Sequence, residues 1–162
     1  MEPRADDDRQ RWAERLFGVR QVIDREDSRE EILLALCRFL RKEIGHYDWV
    51  GFYLVEGAPE MLRLGPYDGA PTRHVEIPFG QGVCGLAAEK RRALMVPDVS
   101  RVVNYLSCSP RVQSEFVVPI FADGEMVAEL DVDSHTLDAF GEQDKEFLEA
   151  VVEAVAELFK KN

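Results

Sequence analysis

The chain has 162 residues, 46% of them hydrophobic and 31% charged, which is enough apolar material for one core and too much for a disordered segment. Its 31 acidic and 20 basic residues leave a formal charge of -11, a field that repels polyanions and disfavours nucleic acid and anionic membrane as partners. The N-terminus is charged without an apolar run, and no stretch reaches the length of a membrane span, so a soluble, cytoplasmic protein is expected.

Trp12, Leu16, Val19 and Val22 or Ile23 recur at helical spacing and predict a helix from about Gln10 to Arg25. Ser28 followed by Glu31 makes a capping box, and Ile32, Leu33, Leu36, Phe39 and Leu40 continue as an apolar stripe that Gly45 is expected to close as a left-handed cap. The period then changes to two. Tyr47 to Glu56 is apolar on both faces, as a central strand would be, and Met61 to Leu64 is its expected hairpin partner. His74 to Ile77 is a third strand. Gly80-Gln81-Gly82-Val83-Cys84-Gly85 opens a helix through Lys90, and Ala93 to Val96 is a fourth strand. Ser100 to Pro110 has no clear period and is expected to be a loop with one helical turn. Glu115 to Phe121 and Glu125 to Ser134 flank Asp123-Gly124, a strong hairpin signal. Phe140 to Lys160 closes the chain as an amphipathic helix. The order of elements predicts an α+β fold, a central antiparallel sheet with N-terminal and C-terminal helices packed on it. Residues 1–27 are expected to be a helical extension and residues 28–162 the domain itself.

The three cysteines, Cys37, Cys84 and Cys108, are too few and too scattered for a disulfide framework, and no CxxC or close Cys/His set predicts a structural zinc site. Cys37 adjoins an apolar helix stripe and is expected in the core.

The segments Asp48 to Leu54 (DWVGFYL), Ile77 to Gly85 (IPFGQGVCG), Val96 to Val99, Ser114 to Ile120 (SEFVVPI) and Leu130 to Ser134 (LDVDS), in this order, resemble the free methionine-(R)-sulfoxide reductases. These are GAF-domain proteins, and the similarity runs from about Ser28 to the C-terminus. The resemblance implies the GAF fold and a thiol mechanism without a bound cofactor. One cysteine attacks the sulfoxide sulfur, methionine leaves, the sulfenic acid condenses with a second cysteine, and a thioredoxin-type reductant restores the thiols. On that likeness Cys108 is the attacking thiol and Cys84 a possible resolving one. The chain departs from the family pattern in two places. His74 stands where the family commonly has its resolving cysteine, ten residues before Cys84. The loop Asn104-Tyr105-Leu106-Ser107-Cys108-Ser109 also lacks the usual histidine and aspartate around the attacking cysteine.

Free methionine sulfoxide is a zwitterion with a short apolar tail and a polar S=O, and the residues offer candidates for each need. Asp131 and Asp133 share one face of a strand, and they read either as an ammonium clamp, where the family places its carboxylates, or as the wet face of a half-buried strand. Trp49 and Tyr53 share a face with Gly51 between them, which reads as core packing or as an aromatic wall with room for the substrate methyl. Glu115 starts a hydrophobic strand. Partial burial would raise its pKa and let it protonate the sulfoxide oxygen, and its bland alternative is an exposed strand-start glutamate. Cys84, in a turn that opens a helix, could be activated by the helix N-terminus or could be a small packing residue. Metal ligands are not expected. Two functions remain open: a reductase of free methionine-(R)-sulfoxide using Cys108 and Cys84, and a non-catalytic GAF module that senses a small amphoteric ligand. The helical ends would suit a homodimer.

Overall fold

A computed structural model of the chain describes residues 4–58, 60–103, 105–106 and 110–161. In chain order the elements are helices α1 (Ala5–Ile23) and α2 (Arg29–Glu43), strands β1 (Trp49–Glu56), β2 (Met61–Asp68) and β3 (Glu76–Pro78), helix α3 (Gly82–Lys90), strand β4 (Leu94–Val96), a 3-10 turn (Val99–Arg101), strands β5 (Ser114–Ala122) and β6 (Glu125–Ser134), and helix α4 (Glu142–Ala156) with a terminal 3-10 turn (Glu157–Phe159). The strands form one antiparallel sheet in the order β3-β2-β1-β6-β5-β4. As its apolar pattern predicts, β1 is interior, paired on both sides. No helix among the described residues is long and apolar enough to cross a membrane.

Local signals explain most boundaries. The Ser28 hydroxyl accepts from the Glu31 N–H at 3.2 Å and the Glu31 carboxylate accepts from the Ser28 N–H at 3.0 Å, the expected reciprocal cap of α2. Asp123 and Gly124, at φ 52° and 79°, build the tight β5–β6 hairpin. At the start of α4, Asp144 accepts from the Gly141 N–H, the Tyr47 hydroxyl and His46 Nε2 at 2.7–2.9 Å, fixing the helix to the segment that enters β1.

Two expectations need correction. Gly45 is not a left-handed cap: α2 ends at Glu43, Ile44 turns the chain out at φ -121° and ψ 107°, and Gly45 is not among the residues with positive φ. Strand β2 runs four residues past Leu64, the expected end, through a bulge at Gly65 and Pro66. There Gly51 pairs with Tyr67 and Tyr53 with Leu64, so two residues oppose Phe52 and Pro66 needs no ladder hydrogen bond.

The sheet divides two apolar clusters. Its even-numbered face, with Val50, Phe52, Phe116, Val118, Leu130 and Val132, packs under α1, α2 and α4. Cys37 lies in this core, wholly buried, as expected. The opposite face, with Trp49, Tyr53 and Val117, packs against α3 through Val83, Cys84, Ala87 and Ala88. Helix α3 can approach so closely because of its entry turn. Gly82 takes φ 63°, and a Cβ on Gly85 would stand 2.6 Å from the Pro78 carbonyl oxygen.

Candidate active site

Strand register assembles the site. Along β1 and β6, Trp49 pairs with Asp133, Gly51 with Asp131 and Tyr53 with Glu129. Along β5 and β6, Glu115 pairs with Asp133, Val117 with Asp131 and Pro119 with Glu129. Directly paired residues point to the same side of a sheet, so four carboxylates and two aromatic rings from three strands share the face that α3 covers. Cys84, third residue of α3, comes down on them. Its sulfur, one Glu115 oxygen and one Asp131 oxygen all lie within 4.8 Å of one another.

This face is dry. Glu115, Glu129, Asp131 and Asp133 are at most 2% exposed, so the wet-face alternative for the two aspartates and the exposed alternative for Glu115 both fail. Burial pushes the Glu115 carboxyl well above the ordinary carboxylate range, and the Asp131 charge adds to it, against a partial offset from Asp133 and from the Tyr105 hydroxyl, which donates to Glu115 Oε2 at 3.2 Å. Glu129 is raised by burial and by Asp131. Asp131 is raised by burial and by Asp133. At ordinary hydrogen-bond geometry the oxygens of Glu129 and Asp131 have no partner, and the Cys84 thiol leans on both only as a weak donor. The charges that act most on these carboxyls are one another's, not a cation's.

Two sequence expectations change here. Any pull of the helix N-terminus on Cys84 is outweighed. Burial and then the charges of Asp131, Glu115, Glu129 and Asp133 push its thiol well up. The missing side chain at Gly51 leaves no open space either, because a Cβ there would stand 2.4 Å from the Trp49 ring and 2.8 Å from Tyr67 Cβ. Trp49 stacks on Tyr67 at 5.4 Å between ring centroids, with its indole N–H donating to the Ala70 carbonyl at 2.9 Å. Tyr53 donates to the His74 carbonyl at 3.0 Å, so His74 meets this wall through its backbone. Cys108 lies outside the described residues.

The cavity between α3 and the sheet, lined by Tyr53, Gln81, Gly82, Cys84, Leu106 and Asp131 among others, measures only about 10 Å³. That is room for about one water. Leu106 closes it: a Cβ on Gly82 would stand 3.0 Å from Leu106 Cγ. Glu129, Tyr105 and Leu106 were not singled out from the sequence. Glu129 had a signal, since it shares strand parity with Asp131 and Asp133. Tyr105 and Leu106 sit in an aperiodic loop and had none.

An unpartnered buried carboxyl carries a measurable cost. With the folded-state pKa of Glu129 raised above its unfolded value, the native state binds more protons than the unfolded state between the two. Stability therefore falls as pH rises through that window. The Glu129→Gln protein is expected to be more stable than wild type by about 1–3 kcal/mol near pH 8, with the advantage shrinking towards pH 5. Urea unfolding at both pH values checks it, and equal wild-type and variant pH slopes would contradict the raised carboxyl.

Residues 28–158 match the GAF domain family. GAF domain-containing protein A of Dictyostelium discoideum is 39% identical over 111 residues, covering 68% of this chain and 69% of that protein. The free methionine-R-sulfoxide reductase of Saccharomyces cerevisiae is 37% identical over 110 residues, covering 67% of this chain and 61% of its own length. Among solved structures, the free methionine-R-sulfoxide reductase of Neisseria meningitidis in complex with its substrate superposes with a TM-score of 0.85 at 35% identity, covering 91% of this chain and 87% of that one. With the family model matching most of the chain, and reductase relatives and structures agreeing with it in sequence and fold, the chain belongs to the GAF domain family and, within it, to the free methionine-R-sulfoxide reductases.

Proposed function

We propose that this protein reduces free methionine-(R)-sulfoxide to methionine, with Cys108 attacking the sulfoxide sulfur, Cys84 resolving, and a thioredoxin-type protein as electron donor. The observation that carries the reading is the dry face of four carboxylates, two aromatic rings and a thiol, on which the Glu129 and Asp131 oxygens find no hydrogen-bond partner among the described residues. Such a face is incomplete without a cationic guest, and the ammonium of a free amino acid supplies one beside Asp131 and Asp133. Trp49 and Tyr53 offer the apolar wall for the methyl and side-chain methylenes. Glu115, held protonated by burial, is the proton donor to the departing oxygen. Because the cavity is one water in size, Leu106 must leave it for the ligand to enter.

The Cys108 thiolate attacks sulfur, the S–O bond passes its oxygen to Cys108 as a sulfenic acid, and a proton from Glu115 completes the exchange as methionine leaves. Cys84 then attacks the sulfenic sulfur, a disulfide forms and water departs. Two electrons from the reductant return both thiols. Leu106, two residues before Cys108 in sequence, lines the same cavity as Cys84, which supports the pairing. Every residue assigned a role falls within residues 28–162, and residues 1–27 would be a helical extension that contributes none.

Thioredoxin-coupled NADPH oxidation tests the reading. Free L-methionine-(R)-sulfoxide is expected to turn over. N-acetylmethionine sulfoxide, which lacks the ammonium, is expected to lose at least about a hundredfold in kcat/KM, because the carboxylates would be left unpaired. No turnover of the R epimer by folded protein would overturn the reductase reading. Calorimetric binding of the sulfoxide would then favour the sensor module.

A further inference from the structure

We propose that the same dry face is also a binding site for one zinc-class divalent cation, ligated by Cys84, Glu115 and Asp131. The ligand chemistry selects the ion. A thiolate with two carboxylates suits a borderline-soft, tetrahedral metal such as Zn²⁺ rather than Mg²⁺ or Ca²⁺, which take oxygen ligands. The geometry is close to the requirement. Metal–ligand bonds of about 2.0–2.3 Å put tetrahedral donors roughly 3.3–3.8 Å apart. The three donor atoms here already lie within 4.8 Å of one another, from positions 84, 115 and 131, and small side-chain rotations close the remainder.

A second observation points to the ion independently. Glu129, fully buried and on the same face two residues before Asp131, has no hydrogen-bond partner for either oxygen. It interacts with Asp131 and with the Cys84 thiol, so its carboxylate faces the cluster from just outside the three-ligand set. The cavity of about 10 Å³ beside Cys84 and Asp131 has room for an ion. On binding, the thiol proton and any carboxyl proton of the ligands pass to solvent, and no electrons move.

Metal binding itself does not depend on the reductase reading. Its corollary does: an ion on Glu115 and Asp131 would exclude the sulfoxide and inhibit turnover.

Co²⁺ added to the full-length Cys108→Ser chain is the first probe, because that variant removes the other thiol assigned to redox chemistry. A near-ultraviolet sulfur-to-cobalt band is expected at one Co²⁺ per chain, and it should vanish when Cys84→Ser is added. Zn²⁺ should displace the Co²⁺, and by calorimetry Zn²⁺ should bind at least about tenfold more weakly to Glu115→Gln. Thermal melts establish that each variant is folded. A band that survives Cys84→Ser, or no band in the Cys108→Ser chain, overturns the proposal. Turnover that proceeds with no sulfur–cobalt band would defeat the metal site and leave the reductase standing. A Cys84-dependent band without turnover would do the reverse.

Discussion

In the Cys84→Ser protein, mixing with methionine-(R)-sulfoxide is expected to release one methionine per chain and then stop, while Cys108→Ser releases none. Steady-state turnover with thioredoxin should fall at least a hundredfold in both. The division of labour follows from environment. Cys84 is buried among carboxyls that push its thiol up, so at neutral pH it is a poor first nucleophile. Its assigned partner is a sulfenic sulfur, which is electrophilic enough to be attacked once the guest has left and a neighbouring carboxyl can accept the thiol proton. Cys37 cannot substitute, because it is wholly buried on the other side of the sheet, with its thiol donating to the Pro66 carbonyl at 3.5 Å. Rapid-quench methionine analysis, with dimedone trapping of the sulfenic acid on Cys108 in the Cys84→Ser chain, checks both variants. Multiple turnovers by Cys84→Ser would show that the external thiol resolves Cys108 directly.

How much of this was legible beforehand depends on which physical quantity each residue reports. Strand parity is written in the sequence, so the common face of Asp131 and Asp133, and that of Trp49 and Tyr53, could be read before any partner strand was known. Burial is not written there. An acidic residue alternating with leucine and valine looks the same whether water or a helix covers it, and only the arrival of α3 makes the face dry. The same limit explains Cys84. Position at a helix start argues for a lowered thiol pKa, whereas burial and then the charges of four carboxyls from β5 and β6, distant in sequence, push it up. Gly51 misled for a related reason: a missing side chain signals space, but Trp49 folds its own ring across that space. The run of β2 past Leu64 depends on a bulge at Gly65 and Pro66 that belongs to the β1 pairing, which local sequence does not contain.

Glu115→Gln is expected to lower kcat by about 10²–10⁴-fold while changing KM much less. The amide keeps the shape of the side chain and can still accept from Tyr105, but it has no proton to give to the departing oxygen. What distinguishes an acid from a merely structural neighbour is the pH profile. In wild type, burial and the Asp131 charge hold Glu115 protonated above the range of ordinary carboxyls. Its active fraction is therefore full at low pH and falls about tenfold per pH unit once pH exceeds that raised pKa, giving a descending alkaline limb in kcat. The Gln variant should lose that limb and retain only a flat residual rate. Stability must move the other way. A carboxyl whose folded pKa is raised contributes stability at low pH that is lost as pH rises through the folded value, so Glu115→Gln should gain on wild type as pH increases. A variant more stable than wild type at alkaline pH cannot owe its loss of rate there to unfolding. If it instead kept full kcat with the alkaline limb intact, the proton would have to come from elsewhere, with Asp131 the next buried carboxyl raised in the same way.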